Sequence, residues 1–249
     1  MIGLNLGCEG LKGIFNPNST LFHLAYIQKL ILSNNDFSDS YFHSKFGAFL
    51  SLTHLELSRS FFKGEIPTQI SHLSKLQSLH LYGSYLYSLV WKETTLKRLV
   101  QNATNLRELF LDDTYLSSLR PNSIAFLFNQ SSSLVTLSLA ETGLSGKLKR
   151  SLLCLPGIQE LDMSFNELQG QLPELSCSTS LRILDLSYCQ FQGEIPMSFS
   201  NLTHLTSLTL SRNSLKGSIP LSLLKLPLLT FLNLDDNELS GRIPNAFQI

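Results

Sequence analysis

A leucine, any residue and a second apolar residue recur ten times along these 249 residues. The pairs are Leu4/Leu6, Leu30/Leu32, Leu55/Leu57, Leu79/Leu81, Leu109/Leu111, Leu137/Leu139, Leu161/Met163, Leu184/Leu186, Leu208/Leu210 and Leu232/Leu234, spaced by 26, 25, 24, 30, 28, 24, 23, 24 and 24 residues. A unit of that size cannot close a core by itself. Its leucines are covered only by the same residues of the units on either side, so the chain is expected to be a solenoid. The alternation is that of a strand, with the leucines inward and the residues between them facing solvent, and the strands must stack in parallel.

Three positions after the second apolar residue stand Asn35, Asn166, Asn213 and Asn237, with Ser60, Ser84, Thr114, Thr142 and Cys189 in other units. All carry a donor, so stacked copies predict a ladder that serves carbonyls left unpaired where the chain turns out of the strand. Glu9 takes the place in the first unit, and an ionised carboxylate only accepts. The first unit is therefore expected to be irregular. Two residues further on an apolar group returns in every unit: Leu11, Phe37, Phe62, Leu86, Leu116, Leu144, Leu168, Phe191, Leu215 and Leu239. Five units continue as glycine, any residue, Ile or Leu, proline (Gly64/Pro67, Gly170/Pro173, Gly193/Pro196, Gly217/Pro220, Gly241/Pro244), glycine freeing the turn and proline fixing an extended segment.

With these residues in view, the chain resembles the plant-specific class of leucine-rich repeat. The resemblance implies an α/β solenoid, a right-handed superhelix with a parallel β-sheet on its concave face and short 3-10, α or irregular segments on the convex side. It also implies a second short strand at the Gly-x-Ile-Pro segment. More narrowly, the segments 30–37, 99–111 and 151–164 resemble the ectodomain of plant receptor-like proteins of the disease-resistance type. That implies an extracellular module at the plasma membrane that binds a peptide or protein ligand on the concave face and signals in defence through a partner co-receptor kinase. A secreted inhibitor of a cell-wall-degrading enzyme, like the polygalacturonase inhibitors, is the alternative, and a truncated inactive relative is another. Ile2–Leu6 already belongs to a unit and residues 241–244 finish one. The expectation is one repeat domain over 1–249, about ten repeats without terminal caps, a fragment with neither signal peptide nor transmembrane segment.

Nineteen basic residues against 19 acidic ones leave no electrostatic footprint for nucleic acid or an anionic membrane. The histidines His23, His43, His54, His72, His80 and His204 show no metal-ligand spacing, and no nucleophile or phosphate-loop motif is present, so neither an enzyme nor a small-molecule cofactor is expected.

The fourth and fifth units are the longest, and their extra residues must lie on the return side. The spacing of Leu96, Leu99 and Val100 fits one or two helical turns within Thr94–Val100, in a local bulge of the outer wall, and Ile124–Phe128 fits the same pattern. Cys154 and Cys177 each lie seven residues before a core leucine. Sharing one phase in adjacent units, they predict a disulfide, the alternative being two reduced buried thiols. Cys189 is expected to be a free buried thiol on the ladder. Sequons occur at Asn18, Asn102, Asn129 and Asn201, in a chain rich enough in asparagine, serine and threonine to produce them by chance. Asn102 and Asn129, ahead of strands on the return side, are the ones expected to carry glycans.

The outward positions of the fifth to eighth units give Glu108, Phe110, Asp112, Asp113, Glu141, Glu160, Asp162, Phe165, Asp185 and Tyr188. Carboxylates among exposed rings make a candidate surface for a basic peptide or protein partner. The competing reading is that Asp162 and Asp185 are ordinary repeat residues on a solvated face. Upstream, His54, Arg59, His80 and Tyr82 give that face a different character.

Overall fold

The computed structural model describes residues 2–83, 89–116, 119, 124, 133–155, 157–177 and 179–243. The chain divides into two compact units, Met1–Ser118 with Gln130–Leu134, and Leu119–Asn129 with Val135–Ile249.

In the first unit the strands Gly3–Asn5, Lys29–Ile31, His54–Glu56, Ser78–His80 and Glu108–Phe110 pair in parallel in chain order. Leu4, Leu30, Leu55, Leu79 and Leu109 stand in one register row. In the second unit Thr136–Ser138, Glu160–Asp162, Ile183–Asp185, Ser207–Thr209 and Phe231–Asn233 do the same, with Leu137, Leu161, Leu184, Leu208 and Leu232 in the row. From Leu30 to Leu210 every leucine or methionine of the repeated pairs is buried. Each unit is thus a stretch of leucine-rich-repeat solenoid, its core a stack of identical positions.

The polar ladder forms as expected and is two-sided. The Asn166 amide donates to the carbonyls of Met163 (2.9 Å) and, one repeat back, Leu139 (2.8 Å), while its oxygen accepts from the Leu144 N–H at 3.0 Å. Asn213 and Asn237 repeat this bridge, and Ser60 Oγ donates across repeats to the Leu32 carbonyl at 2.7 Å. Cys189 is the weak rung, its thiol 3.6 Å from the Met163 carbonyl. Burial pushes that thiol up to about 11, so it stays protonated and hydrophobic. Ser84, expected on the same ladder, and Leu86 lie outside the described residues.

The first repeat departs from the irregularity expected of it. Its strand pairs in register with the next, because Asn35 reaches back, donating to the Leu6 carbonyl at 2.7 Å and accepting from the Leu11 N–H at 2.9 Å. The second repeat supplies what Glu9 cannot.

Positive φ at Gly64, Gly170, Gly193, Gly217 and Gly241 accounts for the recurring glycine. Next to it runs the expected second set of strands: Gly64–Glu65 with Leu89–Val90 in the first unit, and a five-stranded row from Ser145–Lys147 to Glu238–Leu239 in the second. Pro244 lies outside the described residues.

On the return side, 3-10 turns at Thr20–His23, Ser44–Ala48 and Thr68–His72 are followed by the α-helix Glu93–Asn102. That helix is longer than the one or two turns expected. No glycine or proline interrupts it, Glu93 sits favourably in its first turn, and Thr95, Leu96, Leu99 and Val100 are buried as it packs on Thr68–His72. Ile124 is buried and helical, whereas 125–128 lie outside the described residues. Behind the first unit's strands Phe15, Phe22, Phe42, Phe46, Phe49 and Phe62 form a ring cluster around Phe46. In the second unit Cys154 and Cys177 form a disulfide with Cα atoms 6.0 Å apart, and Cys189 is a free buried thiol, both as expected.

Candidate functional site

Alternation along each strand presents two side chains per repeat to solvent, and the following turn adds two more. Register makes them columns. In the first unit one runs Lys29, His54, Ser78, Glu108 and another Ile31, Glu56, His80, Phe110.

The second column holds a polar centre. His80 Nδ1 lies 2.6 Å from Glu56 Oε2, and His80 Nε2 lies 3.5 Å from Glu108 Oε2, within ion-pair distance but without a hydrogen bond. Burial alone would lower the His80 pKa, but the hydrogen bond and charge of Glu56, aided by Glu108, outweigh it and raise it above the ordinary histidine value. For Glu56 burial works upward and is outweighed by His80 and Ser58, so its carboxyl sits below the usual range. His54, one repeat earlier, has only burial and the Lys29 charge as leading influences, and both lower it.

Phe110 packs on His80 with ring centres 4.4 Å apart, and the Arg59 guanidinium lies 5.5 Å over the Tyr82 ring. These groups, with Ser33, Asn34, Ser58 and Asp112, wall a hollow of about 430 Å³ on the strand face. Asp113 does not share its exposure. It is buried at a φ of 54°, and with burial itself its hydrogen bond and charge raise the Tyr82 phenol above its ordinary value.

In the second unit the candidates separate into two groups. Asp162 and Asp185 face the strand surface, yet one carboxylate oxygen of each is used by its own turn. Asp162 Oδ1 accepts from Ser164 N at 2.9 Å and Ser164 Oγ at 2.6 Å, and Asp185 Oδ1 from Ser187 N at 2.8 Å and Oγ at 2.6 Å. Asn5, Glu56 and Asn233 do the same for the N–H two residues on. The last strand residue is therefore a turn cap, a local side-chain competitor for backbone groups. Burial raises the Asp162 pKa against the Ser164 bonds, with Asp185 adding to the rise.

Glu160 is exposed and receives Thr136 Oγ1 at 3.5 Å. Glu141, half-buried, has its backbone N–H on the Ser164 carbonyl. Glu141, Phe165, Tyr188, Arg212 and Asp236 occupy one repeat position and all have φ between 51° and 56°, the left-handed turn leaving the strand. Phe165 and Tyr188 stack with centres 4.0 Å apart and 14° between planes. Arg212 covers the far face of that stack, 5.1 Å from the Tyr188 ring, and pairs with Asp236 at 2.8 Å. Phe165 and Tyr188 remain 48% and 42% exposed.

The outward columns and the Phe165–Tyr188 pair were readable from the repeat phase. In the sequence His80 marks only a change of character and Glu108 belongs to the acidic face, while Glu56 is not singled out, although the shared position of Glu56 and His80 in successive units was the available signal.

Of the sequon asparagines, Asn18 is exposed with its oxygen 3.3 Å from Lys45 Nζ. Asn102 and Asn201 donate to the carbonyls of Ser71 (3.0 Å) and Leu175 (2.9 Å), linking repeats at the back. Asn129 lies outside the described residues. Among the described residues no group of three His, Cys, Asp or Glu is arranged to hold a metal, and no helix is long and apolar enough to cross a membrane.

Two leucine-rich repeat family profiles match, one over residues 176–239 and one over 157–178. Receptor-like protein 6 of Arabidopsis thaliana is 37% identical over 211 residues, 83% of this chain and 21% of that protein. Receptor-like protein Cf-9 of Solanum pimpinellifolium is 41% identical over 208 residues, 82% of this chain and 23% of that protein. The chain thus spans about a fifth of the length of these curated relatives. Among solved structures, a TDR receptor is similar with a TM-score of 0.73 and 27% identity, over 99% of this chain and 45% of that one. The Arabidopsis receptor kinase HAESA, crystallised with the peptide hormone IDA and the co-receptor SERK1, gives 0.67 and 25%, over 98% and 47%.

Proposed function

We propose, from the premise that this chain belongs to the plant leucine-rich repeats and resembles receptor-like proteins, that it is the recognition module of such a receptor. It binds an extracellular peptide or protein on the strand face, without catalysis, at the outer side of the plasma membrane. A partner receptor kinase then carries the signal, in defence. Support for a peptide ligand and a co-receptor comes from HAESA, whose structure holds both a peptide hormone and a co-receptor.

The observation that carries the reading is the exposed Phe165–Tyr188 pair, stacked on adjacent left-handed turns. Rings held rigidly at a surface bring contact area at little entropic cost, the usual make-up of an interface anchor. The test is retention of peptides from plant extracellular fluid on the immobilised chain, read by mass spectrometry. Wild type should enrich a reproducible peptide set, and Phe165→Ala with Tyr188→Ala should lower its retention roughly tenfold or more, the effect of losing a hot spot. Equal retention by the double variant, or no enrichment by wild type, would overturn the assignment.

A further inference from the structure

We propose that the hollow walled by Glu56, His80, Tyr82 and Phe110 receives the guanidinium of an arginine in the peptide ligand, with Glu56 and Glu108 as its anions and the proton on His80 as its competitor. This deepens the reading of the strand face as a peptide site and rests on it.

Charge is the first argument. Glu56 and Asp112 line the hollow, Glu108 stands behind His80 with its Oε2 3.5 Å from Nε2, and Asp113 is buried beside Tyr82; among the described lining residues the permanent cation is Arg59, which lies over the Tyr82 ring. An anionic ligand would meet three carboxylates. Shape is the second, because a planar guanidinium accepts a carboxylate at its edge and aromatic rings at its faces, and Tyr82 and Phe110 border the same space. The third is the imidazole itself, 2.6 Å from Glu56 and 3.5 Å from Glu108. It sits where a bound cation would be neutralised.

The imidazolium already holds Glu56 Oε2 and lies within ion-pair distance of Glu108 Oε2, so a guanidinium that takes those same oxygens competes with it and releases the His80 proton. His80 is faced by His54 and Glu56 from the preceding strand, by Glu108 and Phe110 from the following one, and by Arg59, Tyr82 and Asp112 from the turns. Lys29 acts one repeat further back, on His54. Of these, Glu56 and Glu108 hold the proton on His80 to higher pH than usual. With one proton released per guanidinium bound, affinity falls on acidification through the His80 midpoint, approaching tenfold per pH unit.

The test titrates the full chain with N-acetyl-arginine amide while following the ring C–H signals of all six histidines by NMR. The expected results are a lowered midpoint for His80 alone, a dissociation constant rising towards tenfold per pH unit below that midpoint, and at least tenfold weaker binding of N-acetyl-citrulline amide. Glu56→Gln should weaken binding about tenfold with the other histidine signals in place, and Glu108→Gln does so if Glu56→Gln disturbs those signals. His80→Gln should keep binding and lose its pH dependence. Citrulline bound as well as arginine, an affinity indifferent to pH, or tighter binding of free L-arginine than of the blocked amide would each overturn the proposal. Failure here leaves the Phe165/Tyr188 retention result standing, so the two readings fail separately.

Discussion

Replacing Asn166 with alanine tests the physics that holds the repeats in phase. The side chain makes three donor contacts, to the carbonyls of Leu139, Met163 and Ser164, and accepts from Thr142 N, Thr142 Oγ1 and Leu144 N. Not all of these groups are orphaned by its loss. Leu139 O keeps Thr142 Oγ1 at 2.8 Å, and Ser164 O keeps the Glu141 N–H at 3.0 Å. What remains is the N–H of Thr142, the N–H of Leu144 and the Met163 carbonyl, the last left with only the 3.6 Å thiol of Cys189. A buried backbone group without a partner costs about 1–3 kcal/mol, so three give roughly 3–5 kcal/mol at the conservative end. That is a large part of the stability of an ordinary domain. Asn166→Thr, which keeps one donor for the Met163 carbonyl, should lose clearly less. Equilibrium urea unfolding followed by far-ultraviolet circular dichroism measures both. A loss below about 1 kcal/mol for Asn166→Ala, or equal losses for the two variants, would refute the ladder as a structural element.

Other perturbations follow from the packing. Phe46→Ala empties the centre of five ring contacts and should cost about 3–5 kcal/mol in the same urea experiment. Gly47→Ala would place a methyl carbon 2.1 Å from the Gln69 carbonyl oxygen, so thermal unfolding should come several degrees earlier although alanine favours helical turns. Opening the Cys154–Cys177 disulfide, which closes a separation of 23 residues, should cost about 3 kcal/mol, seen as a lower melting temperature of the double serine variant. The Glu56–His80 pair contributes to stability only where both are charged. The raised His80 pKa makes its share present below the unfolded value and lost as pH rises through the folded one, whereas the lowered Glu56 pKa makes its share present above the unfolded value and lost as pH falls through the folded one. His80→Gln should therefore flatten the decline in stability between about pH 6 and 8, and an unchanged profile would remove the pair from the account.

The strand rows, the ladder and the disulfide were legible because each depends on phase, and phase is a property of spacing, whereas the second strands were implied by the family resemblance. Where the structure departs from the spacing, the cause lies in a neighbouring repeat. Glu9 looked like a missing rung until Asn35 proved to serve both repeats. Helix length at Glu93–Asn102 was underestimated because burial of its apolar residues against Thr68–His72 adds to local preference, and no local window contains that contact. In the candidate site, outward position does not by itself fix how free a side chain is. Asp162 and Asp185 do face the surface, but one oxygen of each caps its own turn, and Asp113 is buried beside Tyr82 although Phe165 and Tyr188, with the same left-handed backbone, are exposed. The Glu56–His80–Glu108 contacts come from residues 24 and 28 positions apart, close only once the strands are in register.

Hydrogen–deuterium exchange on the chain with and without peptides recovered from extracellular fluid tests most directly whether the strand face is the recognition surface. The account predicts that bound peptide slows exchange at the strand and turn segments 54–59, 78–83, 108–113, 162–165 and 185–188, leaving the helix Glu93–Asn102 and the 3-10 turns as they were. Slowing confined to that helix and those turns would place recognition on the opposite side and contradict it.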